Sequence, residues 1–250
     1  MIILKSSKEL MLMRAAGIIA ARALAEAGKA VEPGVTTLEL DRIAYNVIKA
    51  EGANPSCLGY EGFPNTACIS VNNEVIHGIP SARKKIQAGD IVSIDITANI
   101  GGFHGDNAFT FACGDISPEA KALLEATQTS LSEGIRVATA GNRLGDIGYA
   151  VQRYVESRGY SVVREFTGHG VGASMHEDPS VPNFGKPGRG ARLQSGMVIA
   201  IEPMVNAGSP DIEILRDGWT VVTADGALSA HFEHTVAITE SGPVILTAKE

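Results

Sequence analysis

Hydrophobic residues recur at helical spacing in four stretches of the chain, and turn signals mark where these stretches begin and end. Ser6 followed by Glu9 has the pattern of a capping box, and the apolar stripe after it predicts a helix to about Ala27, just before Gly28. The same pattern predicts a second helix over residues 36–52. The chain therefore opens with two consecutive helices.

Short β-rich runs separated by Gly, Pro and Asn fill residues 62–111. Helical spacing then returns over 117–132, where Pro118 occupies the favoured first helical position, and again over 144–157, before Gly159. The rest of the chain is again β-rich. The predicted order of two helices and then strands thus occurs twice, which indicates an α+β fold.

One strand pattern is also written twice. "KIQAGDIVSID" at 85–95 returns 107 positions later within "ARLQSGMVIAIE" at 191–202, and this offset aligns Asp95 with Glu202. The repeated strand and the repeated element order predict an internal duplication, with halves of about 1–115 and 116–250 inside a single domain spanning 1–250. The alternative is two unrelated core strands with a common apolar pattern.

Composition and net charge argue against a nucleic-acid-binding function. The chain has 250 residues, 44% of them hydrophobic, and a formal net charge of −7. Because nucleic-acid binding depends on concentrated Lys and Arg, we expect no DNA partner. The one tight basic cluster, 83–85, fits a solvated turn.

The cysteine count and the N-terminal sequence bear on the compartment. Cys57, Cys68 and Cys113 are too few for a disulfide framework in a chain of this length, which favours a reducing cytoplasm. The apolar residues at the N-terminus are interrupted by charges, so they predict neither a signal peptide nor a membrane span. We therefore expect a cytoplasmic protein with no membrane partner.

Two aspartates are candidates for a metal site. A turn centred on Ile100 and Gly101 would place Asp95 directly opposite Asp106 on antiparallel strands, with both carboxylates on one face. Two carboxylates that close require a proton or a cation between them, and a dinuclear metal site is the usual solution. A slip of one residue in the strand pairing would instead put them on opposite faces. If the halves are related by a pseudo-twofold axis, Glu202 approaches the same centre.

Further polar residues stand in unusual surroundings. His169 and His176 lie among glycines, Glu233 interrupts an apolar stretch, and His77 follows a predicted strand. Each taken singly fits an ordinary surface or hydrogen-bonded residue. Together with the aspartates they form a set rich in carboxylates and poor in imidazoles, which suits Mn, Fe or Co better than a structural zinc.

Several segments resemble a known family in order and spacing. They are "ACISVNNEVIHGIP", "GDIVSIDI", "GGFHGDNAFTF", "TGHGVGASMHEDP", "IAIEPMVNAG" and "DGWTVVTADGALSAHFEHT". Over essentially its whole length the chain resembles the type I methionine aminopeptidases of the bacterial kind. The resemblance implies the α+β pita-bread fold, with two pseudo-symmetric halves around a curved antiparallel sheet.

The resemblance also implies two divalent metal ions, Mn, Fe or Co, with Zn possible, on five ligands: Asp95, Asp106, His169, Glu202 and Glu233. Asp106 and Glu233 would bridge the ions, Asp95 would chelate one, and His169 with Glu202 would hold the other. Metal binding lowers the pKa of water, and Glu202 would shuttle the proton of the nucleophilic water. His77 and His176 would contact substrate and stabilise the tetrahedral intermediate.

The implied reaction removes the N-terminal methionine from nascent proteins whose second residue is small. The implied methionine pocket consists of Cys57, Tyr60, Phe63, Cys68, Met175 and Trp219, although each also fits an ordinary core position. Glu61, Met175 and Ala200 depart from the commonest bacterial residues, which bears on fine substrate preference. The implied partners are N-terminal peptides and, through the cluster at 83–85, a transient ribosome contact; a monomer is expected.

Two other functions compete with this interpretation. Enzymes of the same fold that cleave Xaa-Pro bonds generally carry a further N-terminal domain, which a chain of 250 residues would not accommodate. A non-catalytic binding protein could retain the fold, since fold alone does not establish function. Such proteins typically lose ligands, whereas all five candidate ligands and both accessory histidines are present here.

Overall fold

The computed structural model describes residues 1–248, and its helices form where the turn signals predict them. They are α1 (Ser7–Lys29), α2 (Thr37–Ala50), α3 (Pro118–Val137) and α4 (Leu144–Ser157). Both expected capping boxes are present, with Ser6 and Thr36 as the N-cap residues. None of the helices within residues 1–248 has the length and apolar character needed to cross a bilayer.

Two helix ends were predicted too early. α1 continues through Gly28 to Lys29. Glycine suits position 28, because a Cβ atom at this position would lie 2.1 Å from Cε1 of Phe111. α3 extends past Ser132 to Val137, because Ile135 still packs against the hydrophobic core in this last turn.

Strands account for most of the remaining order. In the first half they are β1 (Asn54–Pro55), β2 (Cys68–Val71), β3 (Glu74–Ile76), β4 (Ile91–Ile100) and β5 (Phe103–Ala112). In the second half they are β6 (Ser161–Val162), β7 (Gly168–Gly170), β8 (Glu177–Val181), β9 (Val198–Ile201), β10 (Met204–Asn206), β11 (Ile212–Ile214), β12 (Val221–Thr223), β13 (Ser229–His231), β14 (His234–Thr239) and β15 (Gly242–Ile245). A short 3₁₀ turn covers Tyr60–Gly62.

The two repeated strands occupy equivalent places in their sheets. β4 lies between β2 and β5, and β9 lies between β7 and β14, in each case with antiparallel pairing. An isolated bridge joins Thr36 to Lys85 in the first half, and another joins Arg143 to Arg192 in the second. Both members of the second bridge are displaced by 107 positions from those of the first, which is the offset of the strand repeat. These recurrences support the proposed duplication.

Each half has its own large hydrophobic core, and the halves meet where β5 packs against β14. One core consists mainly of residues from 19–113 and the other mainly of residues from 116–245. At the junction the Asp106 N–H donates to Thr235 Oγ1 at 2.9 Å, and the Glu233 N–H donates to the Ala108 carbonyl at 2.9 Å. The α+β architecture is therefore confirmed, and the junction lies beside the predicted carboxylates.

Candidate metal centre

The hairpin that carries the two aspartates has a register different from the predicted one. Gly101 and Gly102 form its turn, with φ of 61° and 81°, so Thr97 pairs with Asp106, and Asp95 pairs with Ala108. The prediction that Asp95 faces Asp106 directly was wrong by two positions, because the turn is centred one residue later than assumed. An even shift preserves the face, so the two aspartates lie diagonally on the same side of the sheet.

Both halves of the chain contribute to the metal centre, which we define as Asp95, Asp106, His169, Glu202 and Glu233. The first two lie on β4 and β5, the third lies on β7, and Glu202 follows the last residue of β9. Glu233 lies between β13 and β14, not within a strand. Asp106, His169 and Glu233 each offer a ligand atom, and these atoms lie within 4.8 Å of one another.

His169 directs its Nε2 atom toward two carboxylates of the metal centre. Its Nδ1 lies 2.9 Å from the carbonyl oxygen of Gly170, which can only accept, so Nδ1 carries the proton. Its Nε2 lies 3.6 Å from Asp106 Oδ2 and 3.5 Å from Glu202 Oε1. Nε2 and the two carboxylate oxygens thus surround one space, which a proton on Nε2 or a metal ion can occupy.

Two buried carboxylate oxygens have no hydrogen-bond partner within residues 1–248: Asp95 Oδ1 and Glu233 Oε1. Burial, together with the charge of Asp106, raises the pKa of Asp95 and of Glu233 well above its usual value. Unpartnered buried oxygens among like charges are costly unless a proton or a metal occupies the space. The residues present therefore fit a divalent metal.

Glu202 behaves differently from its neighbours. Burial alone would raise its pKa, but interaction with His231 and the nearby His169 lowers the pKa overall. Its Oε2 lies 3.6 Å from His231 Nε2, and its carbonyl accepts a hydrogen bond from Asn183 Nδ2 at 2.9 Å. Glu202 thus stays ionised, with His231 beside its carboxylate and Asn183 bonded to its backbone carbonyl.

Sequence reasoning missed several neighbours of the metal centre. Thr97 donates from Oγ1 to Asp106 Oδ1 at 2.7 Å, and His231 contacts Glu202. Thr97 lies two positions after Asp95, and His231 lies two positions before Glu233. In an extended chain residues two apart project to the same side, so this spacing was the signal available in the sequence. Asn183 gave no comparable signal, because its contact with Glu202 depends on a long-range packing of loops.

A cavity of about 300 Å³ joins the metal centre to the predicted methionine pocket. All six pocket residues lie together in one apolar cluster with Ile79: Cys57, Tyr60, Phe63, Cys68, Met175 and Trp219. Phe63 and Trp219 meet edge to face, with ring centroids 5.2 Å apart. Cys57, Cys68 and Cys113 are all free thiols, as the cysteine count indicated.

The two accessory histidines also line this cavity. His77 follows β3 with φ of 59° and contacts the edges of Phe166 and Trp219. Burial lowers the pKa of His77 to about 4, so its ring is neutral. His176 Nδ1 lies 2.8 Å from the Tyr60 hydroxyl, and its ring centroid lies 4.3 Å from that of His169. The structure therefore brings every predicted site residue to a single cavity.

Comparisons with known proteins agree with this geometry. A methionine aminopeptidase of Clostridium perfringens is 56% identical over 247 residues, which cover 99% of both chains. The crystal structure of a methionine aminopeptidase from Thermotoga maritima superposes with a TM-score of 0.98 at 43% identity, covering 100% of each chain. A prolidase from Pyrococcus furiosus, 24% identical, superposes with a TM-score of 0.81, covering 99% of this chain and 66% of that one, and shows the fold alone.

The fold is therefore the pita-bread fold that the sequence motifs implied. The model of metallopeptidase family M24 matches residues 11–240, which include every residue of the metal centre and of the methionine pocket. With a carboxylate cluster that fits a metal and a match over nearly its whole length, the chain belongs to metallopeptidase family M24.

Proposed function

We propose that the chain is a metal-dependent aminopeptidase that hydrolytically removes an N-terminal methionine when the second residue is small. The observation that carries this proposal is the single cavity in which an apolar pocket adjoins the carboxylate cluster. A methionine side chain in that pocket places the first peptide bond next to the metal centre. The relatives named methionine aminopeptidase, matched over their full length, support the same activity.

The metal centre is proposed to hold two divalent ions. Four carboxylates and one imidazole are oxygen-rich ligands, which favours Mn, Fe or Co, while Zn is also accepted. Asp106 and Glu233, from different halves, would hold the ions together with Asp95, His169 and Glu202. When bound, such ions lower the pKa of water and polarise the scissile carbonyl.

Glu202 is the proposed proton acceptor and donor. Its lowered pKa keeps the carboxylate ionised near neutral pH, which a group that accepts a proton from water requires. Its two oxygens lie 3.5 Å from His169 Nε2 and 3.6 Å from His231 Nε2, so the carboxylate stands between two imidazoles before substrate binds. Its proton is then delivered to the leaving amine.

His176 is the proposed donor to the developing oxyanion. Burial raises the pKa of Tyr60, so its phenol keeps the proton and can donate to His176 Nδ1. Burial and the neighbouring His169 lower the pKa of His176, so the ring is neutral. With Nδ1 accepting, the ring proton resides on Nε2 and is available to the substrate. His77, also neutral, is proposed to contact the substrate.

The methionine pocket supplies specificity. Its walls are aromatic rings and sulfur atoms, and a flexible, polarizable thioether packs well against both. The structure offers less to the Xaa-Pro alternative, because that specificity depends on the second residue and not on a deep pocket for the first. The non-catalytic alternative does not explain why unpartnered buried carboxylates have been retained.

The deciding experiment measures free methionine released from Met-Ala-Ser peptide by metal-stripped protein, titrated separately with Mn, Fe, Co and Zn. We expect metal-dependent release that disappears in Glu202→Gln, no release from Met-Leu-Ser, and none of alanine from an Ala-Pro peptide. Preferential cleavage of the Ala-Pro peptide would establish the alternative peptidase. If folded protein released no methionine with any of the four ions, the non-catalytic binding function would be favoured.

The remaining proposals concern the cellular location, the oligomeric state and the partners of the enzyme. We place it in the cytoplasm as a monomeric single domain acting on nascent N-terminal peptides. Arg83 and Lys85 are exposed and are proposed to contact the ribosome transiently, whereas Lys84 already pairs with Glu74. Reversing the charges of Arg83 and Lys85 is expected to weaken co-sedimentation with ribosomes. Unchanged co-sedimentation would remove this proposal without affecting the peptidase activity.

A further inference from the structure

A second cavity, of about 580 Å³, lies between α1 and α3, on the side of β5 away from the metal centre. Its volume falls within the range of about 300–1,000 Å³ that is typical of small-molecule sites. α1 belongs to the first half of the chain and α3 to the second, and each helix packs mainly on its own half. The second cavity is the space that remains between α1 and α3, and it is separate from the cavity at the metal centre.

The surfaces that face the second cavity are apolar at its base. Phe109 lies at the centre of an aromatic floor, with ring centroids 4.8 Å from Phe111 and 4.6 Å from Phe232. On the α1 side the wall is formed by Ala21 and Ala25, whose short side chains leave the floor uncovered. A planar apolar molecule can therefore stack on the rings.

A buried amide points into this apolar space. Asn107 lines the second cavity and is 4% exposed, yet its side chain has no hydrogen-bond partner within residues 1–248. Because successive residues of a strand project to opposite faces, Asn107 faces away from the metal centre that its neighbour Asp106 helps to form. The amide keeps accessible surface inside the cavity, so a ligand with a polar atom at this depth can form a hydrogen bond with it.

A guanidinium group lines the outer part of the second cavity. Arg136, on α3, is a lining residue with a side chain 67% exposed. One of its nitrogens pairs with Glu133 at 2.7 Å, which leaves the other guanidinium N–H groups for a ligand. The second cavity thus combines an aromatic floor, a neutral amide at depth and a cationic group in its outer part.

We propose that the second cavity is a binding site for a small aromatic acid, with its ring system on Phe109, a polar ring atom at Asn107 and its acidic group at Arg136. The acid can be a carboxylate or a sulfonate, since both match the charge of the guanidinium group. The two sites share the segment around Glu233, which lines both cavities, but they open to different sides of the sheet.

The test uses two fluorescent probes with the metal-loaded full chain: 8-anilinonaphthalene-1-sulfonate, which is acidic, and N-phenyl-1-naphthylamine, which is neutral. We expect one molecule of the sulfonate to bind per chain, and an excess of free methionine not to displace it. Arg136→Gln is expected to weaken sulfonate binding by about threefold, as for a partly exposed charge pair, and to leave the neutral probe unaffected.

Filling the second cavity tests its location. Ala25→Phe on α1 and Ser132→Trp on α3 project new side chains from opposite walls, and either is expected to weaken binding of both probes by at least about tenfold. Ala122→Phe, at an exposed position of α3 outside the cavity, is the matched control. Methionine release and thermal unfolding establish that each variant is folded. Displacement of the sulfonate by methionine, or unchanged binding in both filled variants, would overturn the proposal.

Discussion

His231 Nε2 lies 3.6 Å from Oε2 of Glu202, in the interior of the protein. His231 is 2% exposed, and its backbone N–H and carbonyl both bond to Thr110 Oγ1, at 3.0 and 2.8 Å. These bonds hold the backbone of His231 beside β5, and its Nε2, which has no hydrogen-bond partner within residues 1–248, faces the carboxylate proposed to move the proton. This makes His231 a positioning residue for Glu202.

Replacing His231 should affect turnover more than substrate binding. We expect His231→Leu to lower kcat by about 10- to 100-fold, as is typical when a residue that orients a metal ligand is removed, with little change in KM. His231→Gln keeps a side-chain donor and should retain most of the activity. Steady-state kinetics on Met-Ala-Ser separate the two parameters. An equal loss in both variants would indicate that His231 acts only through packing.

The pH dependence of the metal-free protein follows from the raised pKa values of Asp95 and Glu233. In the folded protein these carboxyls keep protons that the unfolded chain has released above about pH 4–5. The unfolded state then binds fewer protons, so the free energy of unfolding falls as pH rises toward the folded pKa. His77 and His234, each with a pKa of about 4, act in the opposite sense, but only below about pH 7.

The histidines contribute equally to the native chain and to Asp95→Asn, so the informative quantity is the difference in Tm between these two proteins, metal-stripped, above about pH 5. We expect the Tm of the native protein to decline relative to that of Asp95→Asn as pH rises, because the variant lacks one of the two carboxyls that lose stability on deprotonation. The Tm of Mn-loaded native protein should decline less than that of the metal-stripped protein. A native Tm that rises relative to that of Asp95→Asn would contradict the assignment.

The hydrogen bond between Tyr60 and His176 makes a separate prediction. If the Tyr60 hydroxyl holds the His176 proton on Nε2, Tyr60→Phe should lower kcat by about tenfold, because the ring can then adopt the other tautomer. The apolar surface of the pocket remains, so KM for a methionine peptide should change little. The pH profile of kcat is the sharper measurement, since loss of this hydrogen bond should shift its acidic limb. Identical profiles would assign Tyr60 to packing alone.

Local signals in the sequence predicted the helices well. The capping residues Ser6 and Thr36 placed the starts of α1 and α2, because a cap depends on only a few neighbouring residues. The ends of α1 and α3 were less predictable. Gly28 is an ordinary stop signal, yet α1 continues through it to Lys29, and the ring of Phe111 occupies the space that a side chain at position 28 would need.

The metal centre shows the same limit. Asp95 and Asp106 could be placed on one hairpin from the sequence, but the choice between adjacent turn positions was set by the backbone of Gly101 and Gly102. The association of Asp106 with Glu233 depends on the packing of β5 against β14 across the two halves, a contact that no local pattern encodes. The expectation that Asp106 and Glu233 share one site came from the strand repeat and the family motifs, not from hydrophobic periodicity.

The close approach of α1 to Leu246 leads to a prediction about stability at Gly17. Inside a helix, Gly→Ala normally stabilises by about 1 kcal/mol. At Gly17, however, a Cβ atom would lie 2.3 Å from the carbonyl oxygen of Leu246, and a backbone atom cannot turn aside. We therefore expect Gly17→Ala to lower the free energy of unfolding by about 1–3 kcal/mol, the usual effect of overpacking a core.

Gly28→Ala is the matched comparison, because its obstacle is the end of the Phe111 side chain, which can rotate. It should destabilise less than Gly17→Ala, and Phe111→Leu in the same chain should relieve the clash. Urea denaturation of metal-stripped protein, with the m value compared among variants, measures both effects. If Gly17→Ala proved as stable as the parent, α1 would have to lie farther from Leu246 than described.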